Sequence, residues 1–166
     1  LSTEKTTMSE LSMMAPAGMP SASLRIIERA IRLLDRHLRV SGQPLTSSHT
    51  VRDMLRLQMA GLEREVFMVF YLDNQNRLLE SETVFLGTIN QTEVHAREIV
   101  KGALRHNAAA VILAHNHPSG CIDPSHADKT VTQRLIQALG LIEVRVLDHL
   151  IVGRSDILSF AEQGLI

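Results

Sequence analysis

The sequence predicts an α/β protein, a mixed-sheet sandwich with flanking helices. Two observations lead to this class: short apolar runs suited to strands alternate with longer stretches whose apolar residues recur at helical intervals. The length agrees, because 166 residues, 45% of them hydrophobic, suit one domain with a sizeable core. We expect a flexible tail over residues 1–21, an amphipathic helix and linker over 22–43, and the folded domain over 44–166.

Helical periodicity marks four segments. In the first, Ile27, Ile31 and Leu34 share one face and arginines occupy the other. The second follows a cluster of helix-capping residue types at 46–48, and the last ends before Gly140, a natural C-cap. In chain order, we expect helices over residues 23–40, 46–60, 92–106 and 125–139.

Strand signals are clearest in segment 109–114, where Ala-Ala-Val-Ile-Leu-Ala is short and apolar throughout, as in a fully buried strand. Earlier in the chain, a polar turn at 73–76 joins two segments that should pair as a hairpin. In chain order, we expect strands over residues 65–72, 77–87, 109–114, 142–147 and 149–153.

The buried strand leads directly into His115 and His117, which are the strongest functional signal. Side chains two apart on an extended segment project the same way, roughly 6.6 Å apart. Asp128 falls in the first turn of the next helix, where the helix dipole favours a carboxylate, and the intervening loop is long enough to return it toward the histidines. Two imidazoles and one carboxylate leave a fourth tetrahedral position open, as in catalytic Zn²⁺ sites.

Each part of this motif also has a second interpretation. Ser125-x-x-Asp128 ahead of an apolar run is a capping box, which needs no metal, and a His-x-His pair can be two polar surface residues. The combination of paired histidines, a Gly/Pro loop and an acid at a helix start is jointly uncommon, which favours the metal site. Four further histidines are interpreted as lying outside the site: His95, His106, His126 and His149. For Asp148 and His149 the reason is that adjacent strand residues face opposite sides.

The motif resembles the zinc motif of the JAMM (MPN+) metallohydrolases: His-x-His, ten residues, then Asp, with Ser three before the Asp. The segment His115-Asn116-His117-Pro118-Ser119-Gly120 resembles the corresponding segment in the RadC branch of that superfamily. Further similar stretches lie at residues 65–67, 71–74, 87–90, 93–98 and 148–153. The resemblance spans roughly residues 45–166. It implies the cytidine-deaminase-like MPN fold, in a short form without the N-terminal helical DNA-binding-type module.

The resemblance also implies roles for individual residues. His115, His117 and Asp128 would bind zinc, and Ser125 would help to position the reacting group. A catalytic Glu is implied where an upstream strand begins, and the matching residue is Glu65, the expected general base. The residues alone leave this choice open among five carboxylates, the others being Glu63, Glu80, Glu82 and Glu93. Eukaryotic members usually carry Ser or Thr at the position of Asn116, so isopeptide specificity does not follow from the motif.

Three function classes remain open. The first is a zinc-dependent hydrolase, a peptidase or isopeptidase with a protein or peptide substrate. The second is a metal-binding DNA repair accessory or nuclease-type protein, and the third is a zinc-binding module without turnover. Nucleic acid is weakly supported: the net charge is −1, aromatic residues are 3% of the chain, and the arginines of the first helix are interrupted by Glu28 and Asp35.

Composition narrows the remaining possibilities. A zinc deaminase of the Pro-Cys-x-x-Cys type needs two cysteines, and this chain has only Cys121. A single cysteine also excludes an internal disulfide framework and suits a reducing compartment. The apolar stretches are shorter than the ~18 residues of a membrane span, and no secretory signal is recognisable. We therefore expect a cytoplasmic protein.

Overall fold

The computed structural model describes residues 19–40, 45, 48–59, 62–87 and 94–166. Within these ranges, five strands form one mixed sheet: β1 (Glu65–Leu72), β2 (Leu78–Gly87), β3 (Ala110–Asn116), β4 (Arg145–Val152) and β5 (Ile157–Ser159). Their order across the sheet is β2-β1-β3-β4-β5, in which β3 and β4 are parallel and all other neighbours are antiparallel. The predicted α/β class with a mixed sheet is confirmed.

Helices cover both faces of this sheet. The described helices are α1 (Ser21–Val40), α2 (Ser48–Met59), α3 (Ala96–Arg105) and α4 (His126–Gly140). Even-numbered residues of β1 and β3 pack against α2, whereas odd-numbered residues pack against α3 and α4. This alternation is the period-2 pattern of a strand buried on both faces. It explains why β3 is apolar at every position before His115.

The N-terminal helix is amphipathic, as predicted, but its burial is limited. Ile31 is buried, and so is Glu28, which the sequence had assigned to the polar face. Ile26 and Leu33 are exposed among the exposed arginines Arg25, Arg29, Arg32 and Arg36. The predicted tail, up to residue 18, and the linker after α1 lie outside the described residues. In the described part of the chain, no helix combines the length and apolarity needed to cross a bilayer.

The C-terminal strands differ from the prediction. Two strands were expected here, over residues 142–147 and 149–153. The structure instead has one strand, β4, with an irregularity where Ile112 pairs with Asp148. Asp148 is tolerated there because its carboxylate accepts hydrogen bonds from Ser159 Oγ at 2.6 Å and from the Ala161 backbone N–H at 3.0 Å. The irregularity falls at Leu147, which the register skips, and the polar pair that follows it continues the strand.

Candidate metal centre

The end of β3 fixes the two histidines of the motif. His115 is the last inward-facing residue of β3, opposite Phe67 of β1 and Ile151 of β4, and its side chain is 1% exposed. The backbone N–H of His117 donates to the Val152 carbonyl at 3.0 Å, so the chain stays extended beyond the strand end. Both rings consequently face the same side, with their Nε2 atoms 3.0 Å apart.

A tight loop after β3 holds the ring of His117. The backbone N–H of Gly120 donates to the His117 carbonyl, and Gly120 has a φ of 84°, which favours glycine. The loop then brings the Cys121 carbonyl to 2.7 Å from His117 Nδ1. Because a carbonyl only accepts, Nδ1 carries the hydrogen, and in the neutral ring Nε2 is left with a lone pair. The exposed Cys121 thus contacts the site through its backbone, and its thiol instead lies 3.5 Å from Asp123.

Asp128 is both a helix cap and a partner of the histidines, so the two interpretations of its motif are compatible. Its Oδ2 accepts from the Ser125 backbone N–H at 2.7 Å and from Ser125 Oγ at 2.6 Å, while its own N–H donates to Ser125 Oγ. Its Oδ1 lies 3.1 Å from His115 Nε2, and Oδ2 lies 3.5 Å from His117 Nε2. The capping box therefore sets the direction in which the carboxylate points.

The pKa values of Asp128 and His117 reflect this contact. Burial alone would raise the pKa of Asp128, but the protonated forms of His115 and His117, which can donate to its carboxylate, and a hydrogen bond from Ser125 hold that pKa well below its ordinary value. The hydrogen bond with Asp128 raises the pKa of His117, against the opposing effect of burial. The carboxylate is therefore ionised and available as an anionic ligand.

The structure also brings Glu65 to this cluster. In the antiparallel register of β1 with β3, Phe67 lies opposite His115, and Glu65, two residues earlier, falls on the same face toward His117. Burial raises the pKa of Glu65, and the neighbouring His115 and His117 oppose that rise. Of the competing carboxylates, Glu63 is exposed, Glu82 contacts Arg105 and His106 away from the site, and Glu93 lies outside the described residues.

Asn116, between the histidines, has a structural role that the sequence did not reveal. It points to the opposite face of the sheet, where its Oδ1 accepts from the Val66 backbone N–H at 2.8 Å. Its Nδ2 donates to the Arg64 carbonyl at 3.0 Å. These two contacts flank Glu65, so the Asn116 amide holds the start of β1 against the end of β3.

His149 requires a correction. The sequence placed it outside the site, but its Nε2 lies 2.8 Å from His115 Nδ1, and its Nδ1 lies 2.6 Å from Thr132 Oγ1. The ring is fully buried between Phe67 and Phe160, and this burial lowers the pKa of His149 well below its ordinary value. Side chains alternate along a strand, so His149 and Asp148 face opposite sides. This alternation does not exclude a contact between His149 and a residue of β3. Placement of the other three histidines outside the cluster agrees with the structure, since His95 and His126 are exposed and His106 contacts Glu82.

The donor set fits a divalent cation. One ligand atom from each of His115, His117 and Asp128 can be chosen so that all lie within 4.8 Å of one another. A carboxylate and two imidazole nitrogens that face each other are the donor types of Zn²⁺ and similar ions. A groove of about 250 Å³ borders His117 from the other face of the sheet, where it is lined by Asn116, by apolar side chains such as Met59, Leu62 and Val152, and by the charged Glu63 and Arg154.

Comparisons with known proteins add an independent observation. A family model described as the RadC-like JAB domain matches residues 45–165. The chain is 62% identical over 159 residues to the UPF0758 protein YkfG of Escherichia coli (strain K12), covering 96% of this chain and 100% of that protein. It is 61% identical over 148 residues to the UPF0758 protein YfjY of the same strain, covering 89% and 92%. The UPF0758 protein PSHAa2643 of Pseudoalteromonas translucida (strain TAC 125) is 50% identical over 155 residues, covering 92% of this chain and 69% of that protein.

Proposed function

We propose a function from the family and the site together. This chain belongs to the RadC-like JAB domain family. The proposal is that it is a zinc-dependent metallohydrolase of the JAMM type, a metallopeptidase or isopeptidase. One observation supports this most strongly: His115, His117 and Asp128 converge beside the half-buried carboxylate of Glu65. A site built only to hold an ion has no need of a second carboxylate beside its three ligands. A protein or peptide substrate and a cytoplasmic location are parts of the same proposal.

Three residues of the site would bind the metal ion, and Glu65 would transfer protons. Zn²⁺ held by His115, His117 and Asp128 would supply a Lewis acid that polarises a carbonyl and lowers the pKa of water toward about 7. Glu65 accepts the proton of the attacking water and returns it to the leaving nitrogen, which is the task of a general base followed by a general acid. Half-burial suits Glu65 to this task, because desolvation makes its carboxylate a stronger base.

Ser125 has a positioning role. The Ser125 hydroxyl donates to Asp128 Oδ2, so its first role is to orient that ligand. Donation to a developing oxyanion, the role that the motif implies, requires this hydrogen bond to exchange during the reaction.

The experiment that tests the proposal compares wild type with Glu65→Gln. Both proteins are incubated with zinc and a diverse library of peptides and isopeptides, cleavage is read by mass spectrometry, and bound zinc is measured by elemental analysis. We expect Glu65→Gln to retain zinc and to cleave responsive peptides about 10²–10⁴-fold more slowly, the usual contribution of general acid–base catalysis. Glu98→Gln, on the exposed surface of α3, is the matched control and should cleave like wild type.

Two outcomes would contradict the proposal. If Glu65→Gln cleaves as fast as wild type, then Glu65 is not the base. If wild type binds zinc but cleaves no peptide or isopeptide in the library, a binding module without turnover replaces the hydrolase.

A further inference from the structure

A chain of three buried hydrogen bonds connects the backbone of Asp128 to the ring of His115. Thr132 Oγ1 lies 2.6 Å from the Asp128 carbonyl oxygen, one helical turn earlier in α4. His149 Nδ1 lies 2.6 Å from the same Oγ1, and His149 Nε2 lies 2.8 Å from His115 Nδ1. Thr132 and His149 are both fully buried. The chain therefore joins two candidate ligands through residues that no solvent reaches.

The chemistry of the groups decides which atom donates each of these three hydrogen bonds. A carbonyl oxygen only accepts, so the Thr132 hydroxyl donates its single hydrogen to Asp128; two oxygens 2.6 Å apart without a hydrogen between them would repel. Thr132 Oγ1 then presents a lone pair to His149 Nδ1, which must carry a hydrogen. Two aromatic rings, Phe67 and Phe160, pack against His149, and a charged ring in such a place is unfavourable.

A neutral imidazole carries one N–H, so His149 Nε2 accepts, and His115 Nδ1 donates to it. The hydrogen of His115 is thereby placed on Nδ1. In the neutral ring, its Nε2 is then left with a lone pair at the point where it faces His117 and Asp128. If the chain ran in the opposite direction, Nε2 of His115 would carry the hydrogen and could not bind a cation.

We propose that Thr132 and His149 are positioning residues that fix the tautomer and ring orientation of His115 for metal binding. The proposal rests on the proposed function in one respect, namely that a cation binds at His115, His117 and Asp128. Outer partners of this kind orient a ligand and typically account for 10–100-fold in metal affinity. Neither residue belongs to the group of converging ligand atoms, so their effect on metal affinity through His115 would be indirect.

The first test measures zinc affinity by competition with a chelator. Thr132→Val is nearly isosteric and removes the donor and acceptor, and we expect it to weaken zinc binding about 10–100-fold. Thr132→Ser restores the hydroxyl and should rescue affinity. Thr130→Val is the matched control: its hydroxyl makes the same bond to a carbonyl four residues earlier, at 2.9 Å, but on the exposed face of α4. Thr130→Val should bind zinc like wild type.

The second test reads the tautomer directly and needs only wild type, so it decides the question even if Thr132→Val fails to fold. Nitrogen-15 NMR of the metal-free protein should show His149 neutral with the hydrogen on Nδ1. A hydrogen on Nε2 of His149 would overturn the inference, as would Thr132→Val binding zinc as tightly as wild type. Wild type that binds no zinc would instead contradict the proposed function itself.

Discussion

Asn116→Ala should destabilise the fold although the residue lies between two candidate metal ligands and was not predicted to have a structural role. The substitution removes both hydrogen bonds of the amide, to the Val66 N–H and to the Arg64 carbonyl. The Val66 N–H is buried and would be left without a partner, which costs about 1–3 kcal/mol. The Arg64 carbonyl is only partly buried, so water can replace part of the second bond. We expect a loss of about 2–3 kcal/mol in the free energy of unfolding.

Urea denaturation of the metal-free proteins measures this change, because the midpoint should fall while the m-value stays constant. Metal is removed so that altered zinc binding cannot contribute to the difference. Asn74→Ala is the matched control, since Asn74 is exposed in the hairpin turn, and it should change stability by less than about 0.5 kcal/mol. If Asn116→Ala also falls within that range, the amide does not hold β1 against β3, and the positioning of Glu65 needs another explanation.

Two further predictions concern parts of the fold remote from the candidate metal centre. Burial alone would raise the pKa of Asp73, but hydrogen bonds from Arg77 and Gln75 lower it. Its folded pKa is thus below its unfolded pKa, so its stabilisation is present at neutral pH and is lost as pH falls through the folded value. The stability advantage of wild type over Asp73→Asn in urea should therefore shrink from about pH 7 to about pH 3, and a constant difference would contradict this. Gly102→Ala should lower Tm, because a Cβ there would overlap the buried Tyr71 hydroxyl. Alanine has the higher helix propensity, but we still expect the free energy of unfolding to fall by about 1–3 kcal/mol. Gly140→Ala, with open space around it, should not lower Tm, and equal effects of the two substitutions would contradict the packing argument.

Local patterns predicted those parts of the site that depend on local geometry. The apolar run before His115, the two-residue spacing to His117 and the helix start at Asp128 are all properties of short segments, and the structure brings those three side chains together. The hairpin of β1 and β2 was predictable for the same reason, from two strand segments and a polar turn.

Parts that depend on pairing between distant segments could not be read locally. Glu65 was identified through family resemblance, because only the register of β1 against β3 brings it to the histidines. The contact of His149 with His115 depends on the parallel pairing of β3 with β4 and on the irregularity at Asp148. A polar pair in an apolar run resembles a strand end, and only the contacts of Asp148 with Ser159 and Ala161 show otherwise.

The most direct test of the account is the zinc content of the purified protein, measured by elemental analysis for wild type, His115→Ala and Asp128→Ala. His106→Ala, which alters a histidine remote from the cluster, serves as the control. The account predicts about one zinc per chain in wild type and in the control, and none in the other two variants. Equal zinc content in all four proteins would contradict the claim that His115, His117 and Asp128 share one cation.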